Sequence, residues 1–520
     1  MKLIKNIGLI IFITGLVIFS STTFMGEFHP TKNNIHQSLS VQQYENIGVQ
    51  LENIFIGKTY TSPTVISSEF TKIYNSVNEN LKAEQQWDKV MWDNPQIVVY
   101  KLIKSSATGL FIHHQWLMFL LTFGLGIIGS LMYIIPDVIL LGTLGIKNNQ
   151  IFQSSATNRG WIGWISFVYL VVFYIVLYFF PAILSNQILI VSPISIALSG
   201  NPSSQWFLYG LIYCTVMTVM AVRMFIKYRH SKYQILRTGT VLFFQIAFAF
   251  LIPEVLVRFN LPYMDFKNAW PLDYDFFFDW NINGLISSGN IGIFMFVWGI
   301  VLTLIIVPVF TYFYGKRWYC SWVCGCGGLA ETLGDPYRQL SDKSIKAWKI
   351  ERYLINSILI FAILMTAATL YTYISGNSNL MGISTFDIQK SYGFLIGAIF
   401  SGVIGTGFYP LMGNRVWCRF GCPLAAYMGL IQRFKSRFRI TTNGGQCISC
   451  GNCSTYCEMG IDVRWYAQRG QNIVRSSCVG CGVCSSVCPR GVLNLENRNE
   501  SGRFGKPLEI NDNGLNISNT

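Results

Sequence analysis

Long apolar runs alternate with polar stretches along this chain. A helix needs about 20 predominantly apolar residues to cross the roughly 30 Å apolar core of a bilayer. Runs of this kind lie near 5–25, 110–135, 161–183, 205–225, 238–257, 289–314, 353–374 and 392–412. The pattern therefore predicts an α-helical polytopic membrane protein with about eight transmembrane (TM) helices.

The charges between these runs predict the orientation of the helices. Segment 223–237 contains five Lys or Arg residues and no acid, and segment 315–352 contains seven against four acids. Segment 258–288 instead contains four aspartates against two basic residues. Because Lys and Arg accumulate in cytoplasmic loops, we expect a bacterial inner-membrane protein with both termini in the cytoplasm.

The same pattern divides the chain into segments. Lys2 and Lys5 before the first apolar run are also typical of a signal peptide, but no small-residue cleavage site follows, which favours a retained anchor. The expected order is a TM anchor (1–25), an exported polar domain (26–109), TM helices two to six (110–314), a cytoplasmic loop (315–352), TM helices seven and eight (353–412), a short cytoplasmic segment (413–440), an α+β ferredoxin-like domain (441–497) and a disordered tail (498–520).

Composition narrows the class of protein. Only 12% of residues are charged and 51% are hydrophobic, which excludes a purely soluble protein. The net charge of +14 is typical of cytoplasmic loops in a membrane protein, so we expect lipid and not nucleic acid as the partner. Motifs of hydrolytic or nucleotide-dependent chemistry, such as a P-loop or HExxH, do not occur in the sequence.

The strongest chemical signal lies near the carboxyl end of the chain. Two runs with the spacing C-x2-C-x2-C-x3-C occur there, and the second ends in Cys-Pro. In dicluster proteins the fourth cysteine of each run binds the other cluster. The spacing predicts two 4Fe-4S clusters, the first held by Cys447, Cys450, Cys453 and Cys488 and the second by Cys478, Cys481, Cys484 and Cys457.

Two other readings of these eight cysteines are weaker. Zinc sites use C-x2-C pairs but lack the third close cysteine and the crossed fourth one. Disulfides conflict with a reducing cytoplasmic location. Over residues 447–491 the segment resembles the bacterial dicluster ferredoxin domain. Glu458 is a departure from this resemblance, because proline normally follows the last cysteine of the run.

A second cysteine pattern is repeated 98 residues apart. Segments 315–324 and 413–422 share the pattern G-x-R-x-aromatic-C-x-aromatic-x-C. If each segment is helical, cysteines at i and i+4 lie on one face, so each would present a thiol pair at the cytoplasmic membrane surface. Arg317, Arg415 and Lys316 would lower the pKa values of these thiols. The two pairs are Cys320 with Cys324 and Cys418 with Cys422.

Three roles remain open for these paired cysteines. They can form a third metal or cluster site, act as two redox dithiols, or pack as small apolar groups. Cys326 in Gly325-Cys326-Gly327 follows the first pair, where proline follows the second, and it offers a spare ligand.

Taken together, the membrane helices, the two C-x3-C(P) segments and the dicluster motif over 289–491 resemble the NapH/NosR/CcoG group of membrane-bound polyferredoxins. The resemblance implies quinol-linked electron delivery to a respiratory redox partner or, as an alternative, maturation or reactivation of a copper-containing respiratory enzyme. Quinone is a candidate partner by the same resemblance. Segment 26–109 lacks a convincing flavin-attachment motif, so we expect no covalent flavin.

Aromatic residues crowd segment 261–280, where they alternate with aspartates. An aromatic belt at the outer membrane interface accounts for this composition. A quinol pocket is the alternative, because an acid between aromatic walls could accept quinol protons.

Overall fold

The computed structural model describes residues 1–86, 89–140, 154–376, 379–380, 382–497, 509–511 and 514–516. The predicted tail at 498–520 lies outside these residues except for two short paired strands, Glu509–Asn511 and Gly514–Asn516. The chain separates into two compact units. The first contains Met1–Leu140, Val171–Val219 and Pro253–Asn260, and the second contains Leu141–Leu170, Met220–Ile252 and Leu261–Thr520.

Within the described residues, seven helices are long and apolar enough to cross a membrane. They correspond to the first seven predicted runs, and their length and composition make this a membrane protein. They span Lys2–Phe24, Gln115–Pro136, Trp161–Phe179, Gln205–Lys227, Lys232–Arg258, Gly289–Tyr314 and Ile345–Ser375. A bent helix pair, Pro181–Ile190 and Ser192–Ser199, would make eight if it counts as one span.

The predicted eighth run, 392–412, is not among these seven helices. It lies in a helical stretch formed by Thr385–Tyr392, Gly393–Ile404 and Gly405–Gly407, in which a polar first helix, with Asp387, Gln389 and Lys390, precedes a short apolar part. Gln389 donates to Thr369 (3.1 Å) and Arg419, beyond the stretch, pairs with Glu351 (2.7 Å). The chain from Gln389 to Arg419 therefore runs in the opposite direction to Ile345–Ser375.

Segment 26–109 forms a helical domain inside the first unit. Strand Glu27–Phe28 pairs with strand Ala107–Thr108, which joins the beginning of the domain to its end. Ser62 and Asn94 each cap a helix whose first residue is proline, a position where the missing N–H costs nothing. A core around Phe28, Phe55 and Phe70 is fully buried. The helices are Lys32–Ser38, Val41–Gln43, Tyr44–Gly48, Val49–Phe55, Pro63–Ala83 and Pro95–Ser106.

The second unit contains every cysteine except Cys214. Its cysteine-rich part is built on a two-stranded antiparallel sheet, in which Phe438–Thr442 pairs with Leu493–Asn497. This sheet joins the beginning and the end of the predicted ferredoxin-like segment. The short helices around it are Arg317–Cys320, Gly325–Glu331, Asp335–Leu340, Tyr409–Met412, Trp417–Gly421, Pro423–Phe434, Asn452–Thr455, Val463–Gln468 and Val483–Ser486.

Candidate metal centres

Four thiols line one cavity of the ferredoxin-like segment, which we call cavity one. They belong to Cys447, Cys450, Cys453 and Cys488, the grouping that the crossed spacing predicts. Cys450 is exposed, whereas Cys453 is buried at the first turn of helix Asn452–Thr455. Cavity one therefore lies near the surface of the second unit.

The remaining four thiols of the two runs line a second cavity, cavity two. They belong to Cys457, Cys478, Cys481 and Cys484. Cys478 and Cys484 are buried, and the other two are half-buried. Apolar side chains form much of the remaining wall: Ile440, Met459, Ile461, Val463, Ile473 and Val479. Four converging thiols in an apolar wall fit a cubane cluster at each cavity.

Two glycines explain how the chain bends around these cavities. Gly451 and Gly482 each precede a one-turn helix that carries a cysteine, and their φ angles are +82° and +72°. Only glycine adopts this left-handed conformation without strain. The two halves of the segment thus repeat one local structure, which the repeated cysteine spacing already suggested.

The paired cysteines converge on one buried site, the paired-thiol site. Cys320, Cys324, Cys418 and Cys422 are each at most 6% exposed. Cys422 interacts electrostatically with the three others, and Cys326 forms a hydrogen bond with Cys324. Five thiols from two distant segments therefore face one another.

The prediction that each pair lies on one helical face is wrong. Helix Arg317–Cys320 ends at its cysteine, and Cys324 caps the next helix in an extended conformation. Cys422 likewise caps helix Pro423–Phe434, and its side chain accepts a hydrogen bond from the backbone N–H of Ala425. The backbone N–H of Cys324 donates to Tyr319 (2.7 Å), and that of Cys422 donates to Trp417 (2.9 Å). Each pair is therefore held by the same wide turn.

Burial dominates the protonation of these thiols. It raises the pKa of Cys320 to about 12 and that of Cys418 above its ordinary value, although Lys316 and Arg415 act in the opposite direction. The hydrogen bond with Cys326 instead lowers the pKa of Cys324 to about 6. The basic residues therefore do not lower the pKa values of Cys320 and Cys418 enough to offset burial. Arg317 packs over the ring of Phe438 instead of facing a thiol.

The paired-thiol site packs directly against the loop that carries two cysteines of cavity two. Ser321 donates to the carbonyl of Val479 (2.8 Å), and Gln432 donates to that of Cys478 (2.8 Å). A side chain on Gly480 would collide with Arg317, since a β-carbon there would lie 2.5 Å from the Arg317 Cβ. Ser321 directly follows Cys320 in the chain, and Val479 directly follows Cys478.

The paired-thiol site also extends toward the middle of the apolar helices. Gln245, at the centre of helix Lys232–Arg258, donates to the carbonyl of Val323 (2.5 Å). Trp318 donates to Thr311 in helix Gly289–Tyr314 (3.1 Å). Residues beside the paired thiols therefore contact two of the helices that are long and apolar enough to cross a membrane.

Segment 261–280, which the sequence predicts to be an aromatic belt, contacts Tyr319 beside this site. Trp270 donates to Thr366 (3.0 Å), and Tyr319 donates to the carbonyl of Lys267 (2.9 Å). Lys267 is 8% exposed and pairs with Asp265 at 2.6 Å. Aspartates among aromatic residues were the sequence signal for this arrangement.

A group of buried ion pairs, which no sequence pattern predicts, lies beside the thiols. Asp335 pairs with Lys227 (2.7 Å) and Arg338 (2.8 Å) and also with Arg223. Glu331 pairs with Arg237 at 2.8 Å. Three of the five basic residues of segment 223–237, Arg223, Lys227 and Arg237, therefore neutralise buried acids in addition to their predicted role in membrane orientation.

Two family models match the cysteine-rich part of the chain. One, described as a 4Fe-4S dicluster domain, matches residues 418–493. The other, described as a 4Fe-4S binding domain, matches both 294–344 and 392–441, in line with the repeated cysteine pairs. Two iron–sulfur domain models thus cover the segments that carry all the sites described above.

Three curated proteins are similar to parts of the chain. The putative electron transport protein YccM of Escherichia coli is 31% identical over 157 residues, which are 28% of this chain and 43% of that protein. The methylamine utilization ferredoxin-type protein MauN of Methylobacillus flagellatus is 25% identical over 29% of this chain and 52% of its own length. The regulatory protein NosR of Stutzerimonas stutzeri is 24% identical over 35% of this chain and 27% of its own length.

The matched regions span about half or less of each of these relatives. No solved structure matches the chain significantly.

Proposed function

We propose that this chain, a membrane-bound polyferredoxin of the NapH/NosR type, is an electron carrier. It passes electrons between a lipid-soluble quinol and a water-soluble respiratory redox partner. The general part of this proposal, iron–sulfur electron transfer, is supported by the two 4Fe-4S domain matches and by the similarity to an electron transport protein. When bound, a 4Fe-4S cluster takes up and releases one electron at a time. The chain's own residues determine where those electrons can enter and leave.

The proposed route has three sites in series. The paired-thiol site lies among apolar helices, cavity two lies beside it, and cavity one lies near the surface at Cys450. The contact of Ser321 with Val479 carries this proposal, because the side chain of the residue after Cys320 donates to the backbone carbonyl of the residue after Cys478. We assign cluster one to Cys447, Cys450, Cys453 and Cys488, and cluster two to Cys478, Cys481, Cys484 and Cys457.

We place the cysteine-rich segment on the cytoplasmic side of a bacterial inner membrane. The excess of Lys and Arg in 223–237 and 315–352 supports this orientation. The buried ion pairs explain part of that excess, so a reporter fused to the carboxyl terminus is the appropriate test. A reporter that is active only in the periplasm would contradict the orientation.

A nearby acidic pair supports quinol as the membrane-side donor. Oxidation of a quinol releases protons as well as electrons, so a base must lie close to the electron acceptor. Burial and the negative charges of Asp275 and Asp265 raise the pKa of Asp273 to about 8, although the positive charge of Lys267 acts in the opposite direction. A carboxyl group with a pKa near neutrality can accept a proton and release it again.

Reduction kinetics in liposomes test this route. A short-chain quinol should reduce the clusters of the full chain, and bleaching of their visible absorbance reports the rate. The double variant C320S/C418S should reduce at least tenfold more slowly with quinol but normally with dithionite, which reaches cavity one directly. Asp273→Asn should slow only the quinol reaction. Equal quinol rates in the wild type and the double variant would contradict the route.

The thiol of Cys326, the fifth at the paired-thiol site, favours a second function in the maturation or reactivation of a copper enzyme. Cys324 and Cys326 form a hydrogen-bonded pair with one low pKa, and soft thiolates bind Cu(I) well. The site would then help to mature or reactivate a copper-containing respiratory enzyme. In that case Cys326→Ser should lower the copper content of the partner enzyme while quinol reduction of the clusters stays normal. Normal partner copper in this variant would exclude the second function.

A further inference from the structure

A buried ion network lies between the paired-thiol site and cavity two. It contains five basic and three acidic side chains, all at most 11% exposed. The basic residues are Arg223, Lys227, Arg237, Arg338 and Arg415, and the acidic residues are Glu331, Asp335 and Glu458. We call this group the ion network.

Two arginines of the ion network each reach one thiol site. The Nη1 atom of Arg415 lies 3.6 Å from the Sγ atom of Cys418. The Nη1 atom of Arg338 lies 4.0 Å from the Sγ atom of Cys481, one of the four thiols of cavity two. An N–H group directed at a ligand sulfur is one of the features that set the reduction potential of an iron–sulfur cluster.

The same two carboxylates hold both arginines. Glu331 pairs with Arg415 through Oε1 (2.6 Å) and with Arg338 through Oε2. Glu458 pairs with Arg415 through Oε1 (3.0 Å) and with Arg338 through Oε2 (2.6 Å). Each carboxylate thus bridges the two guanidinium groups, so a shift of one arginine changes the position of the other.

The charge of the ion network also points to the thiol sites. Basic groups outnumber acidic groups, and a buried positive excess is unfavourable unless anions lie nearby. Glu331 alone pairs with three arginines: Arg237 (2.8 Å), Arg415 (2.6 Å) and Arg338. Thiolate ligands on both sides would supply the missing negative charge.

The carboxylates do not form a cation site of their own. Glu331, Glu458 and Cys481 place ligand atoms within 4.8 Å of one another. Both carboxylates are already paired with guanidinium groups, which would repel a metal ion. Glu331 and Glu458 therefore function as links between the arginines.

We infer that Arg338 and Arg415, bridged by Glu331 and Glu458, are positioning residues that raise the reduction potentials of cluster two and of the paired-thiol site and couple the two. The inference rests on the proposed function, since it requires redox centres at both positions. An electron that arrives at one centre adds one negative charge there and draws its arginine closer, with no bond made or broken. The shared carboxylates transmit that change to the second arginine.

Redox titration of the full chain in detergent, followed by low-temperature EPR, tests the inference. Arg338→Gln removes positive charge beside Cys481 and should make cluster two at least tenfold harder to reduce, a shift of about −59 mV for one electron. Arg338→Lys should recover part of this shift. Arg469→Gln is the matched control, because that arginine is exposed and stacks on Trp465; it should leave the potential unchanged.

A second variant keeps the test valid if Arg338→Gln does not fold. Glu331→Gln removes a negative charge and should raise the potential of cluster two, opposite in sign to Arg338→Gln. General disturbance of the structure would not give opposite signs. Unchanged potentials in both variants, with wild-type iron content, would overturn the inference but leave the proposed function intact. Absence of iron and of any reducible signal in the wild type would instead overturn the proposed function.

Discussion

The chain contains two kinds of cysteine site, and they differ in how they are assembled. The thiols of cavities one and two come from two short runs, 447–457 and 478–488, which fold around one small sheet. The thiols of the paired-thiol site come from segments almost a hundred residues apart, held by apolar helices and buried ion pairs. Local spacing specifies the first kind, whereas tertiary packing must complete the second.

The largest effect that we predict separates these two kinds of site. Cys484→Ser should remove cluster two and lower the iron content of the purified chain by about four atoms. Cys320→Ser should leave cavities one and two filled, because their thiols come from other segments. Iron analysis of both variants, with Cys214→Ser as a control outside the sites, checks this. Loss of all iron in the Cys320→Ser variant would show that the two kinds of site do not assemble separately.

A smaller effect should appear where the two kinds of site touch. Gly480 has a φ of +63° and lies against Arg317, so Gly480→Ala adds a collision of about 1–3 kcal/mol to a backbone strain of about 1–2 kcal/mol. Gly491 has a φ of +60° with open space around it, so Gly491→Ala adds strain alone. Unfolding in denaturant, followed by the visible absorbance of the clusters, measures both variants. Equal midpoints would show that this contact is loose.

The smallest effect should lie far from both kinds of site. Ser62 caps helix Pro63–Ala83 in the first unit, and Ser62→Ala should lower its free energy of unfolding by about 1 kcal/mol. Circular dichroism measures the change, with Ser68→Ala, inside the same helix, as the control. Iron content and cluster potentials should stay at wild-type values. A loss of iron in the Ser62→Ala variant would mean that the first unit controls the metal centres.

Much of this architecture could be predicted from the sequence. Seven apolar runs are helices long enough to span a membrane, because hydropathy over about 20 residues is a local property. The structure also groups the eight ferredoxin cysteines as their spacing predicts, although their ligation of iron remains a proposal. The eighth run differs from these seven, because its apolar helical part begins only after the polar helix Thr385–Tyr392 and ends at Gly407, which is shorter than the roughly 20 residues that a span needs.

The paired-thiol site and its surroundings could be predicted only in part. The repeat indicated that Cys320, Cys324, Cys418 and Cys422 belong together, but not that a wide turn separates the members of each pair. Ion pairs such as Arg338 with Glu458 join residues 120 positions apart, and no periodic pattern records such a contact. Glu458 was noticed as a departure from proline, and its role became visible only with its partners.

Iron and acid-labile sulfide, counted per chain in anaerobically purified full-length protein and accompanied by low-temperature EPR, test the central claim most directly. Electron transfer through clusters in cavities one and two predicts at least about eight atoms of each element and a reducible cubane signal, with about twelve expected if the paired-thiol site holds a third cluster. A colourless, iron-free preparation without a reducible signal would contradict the claim.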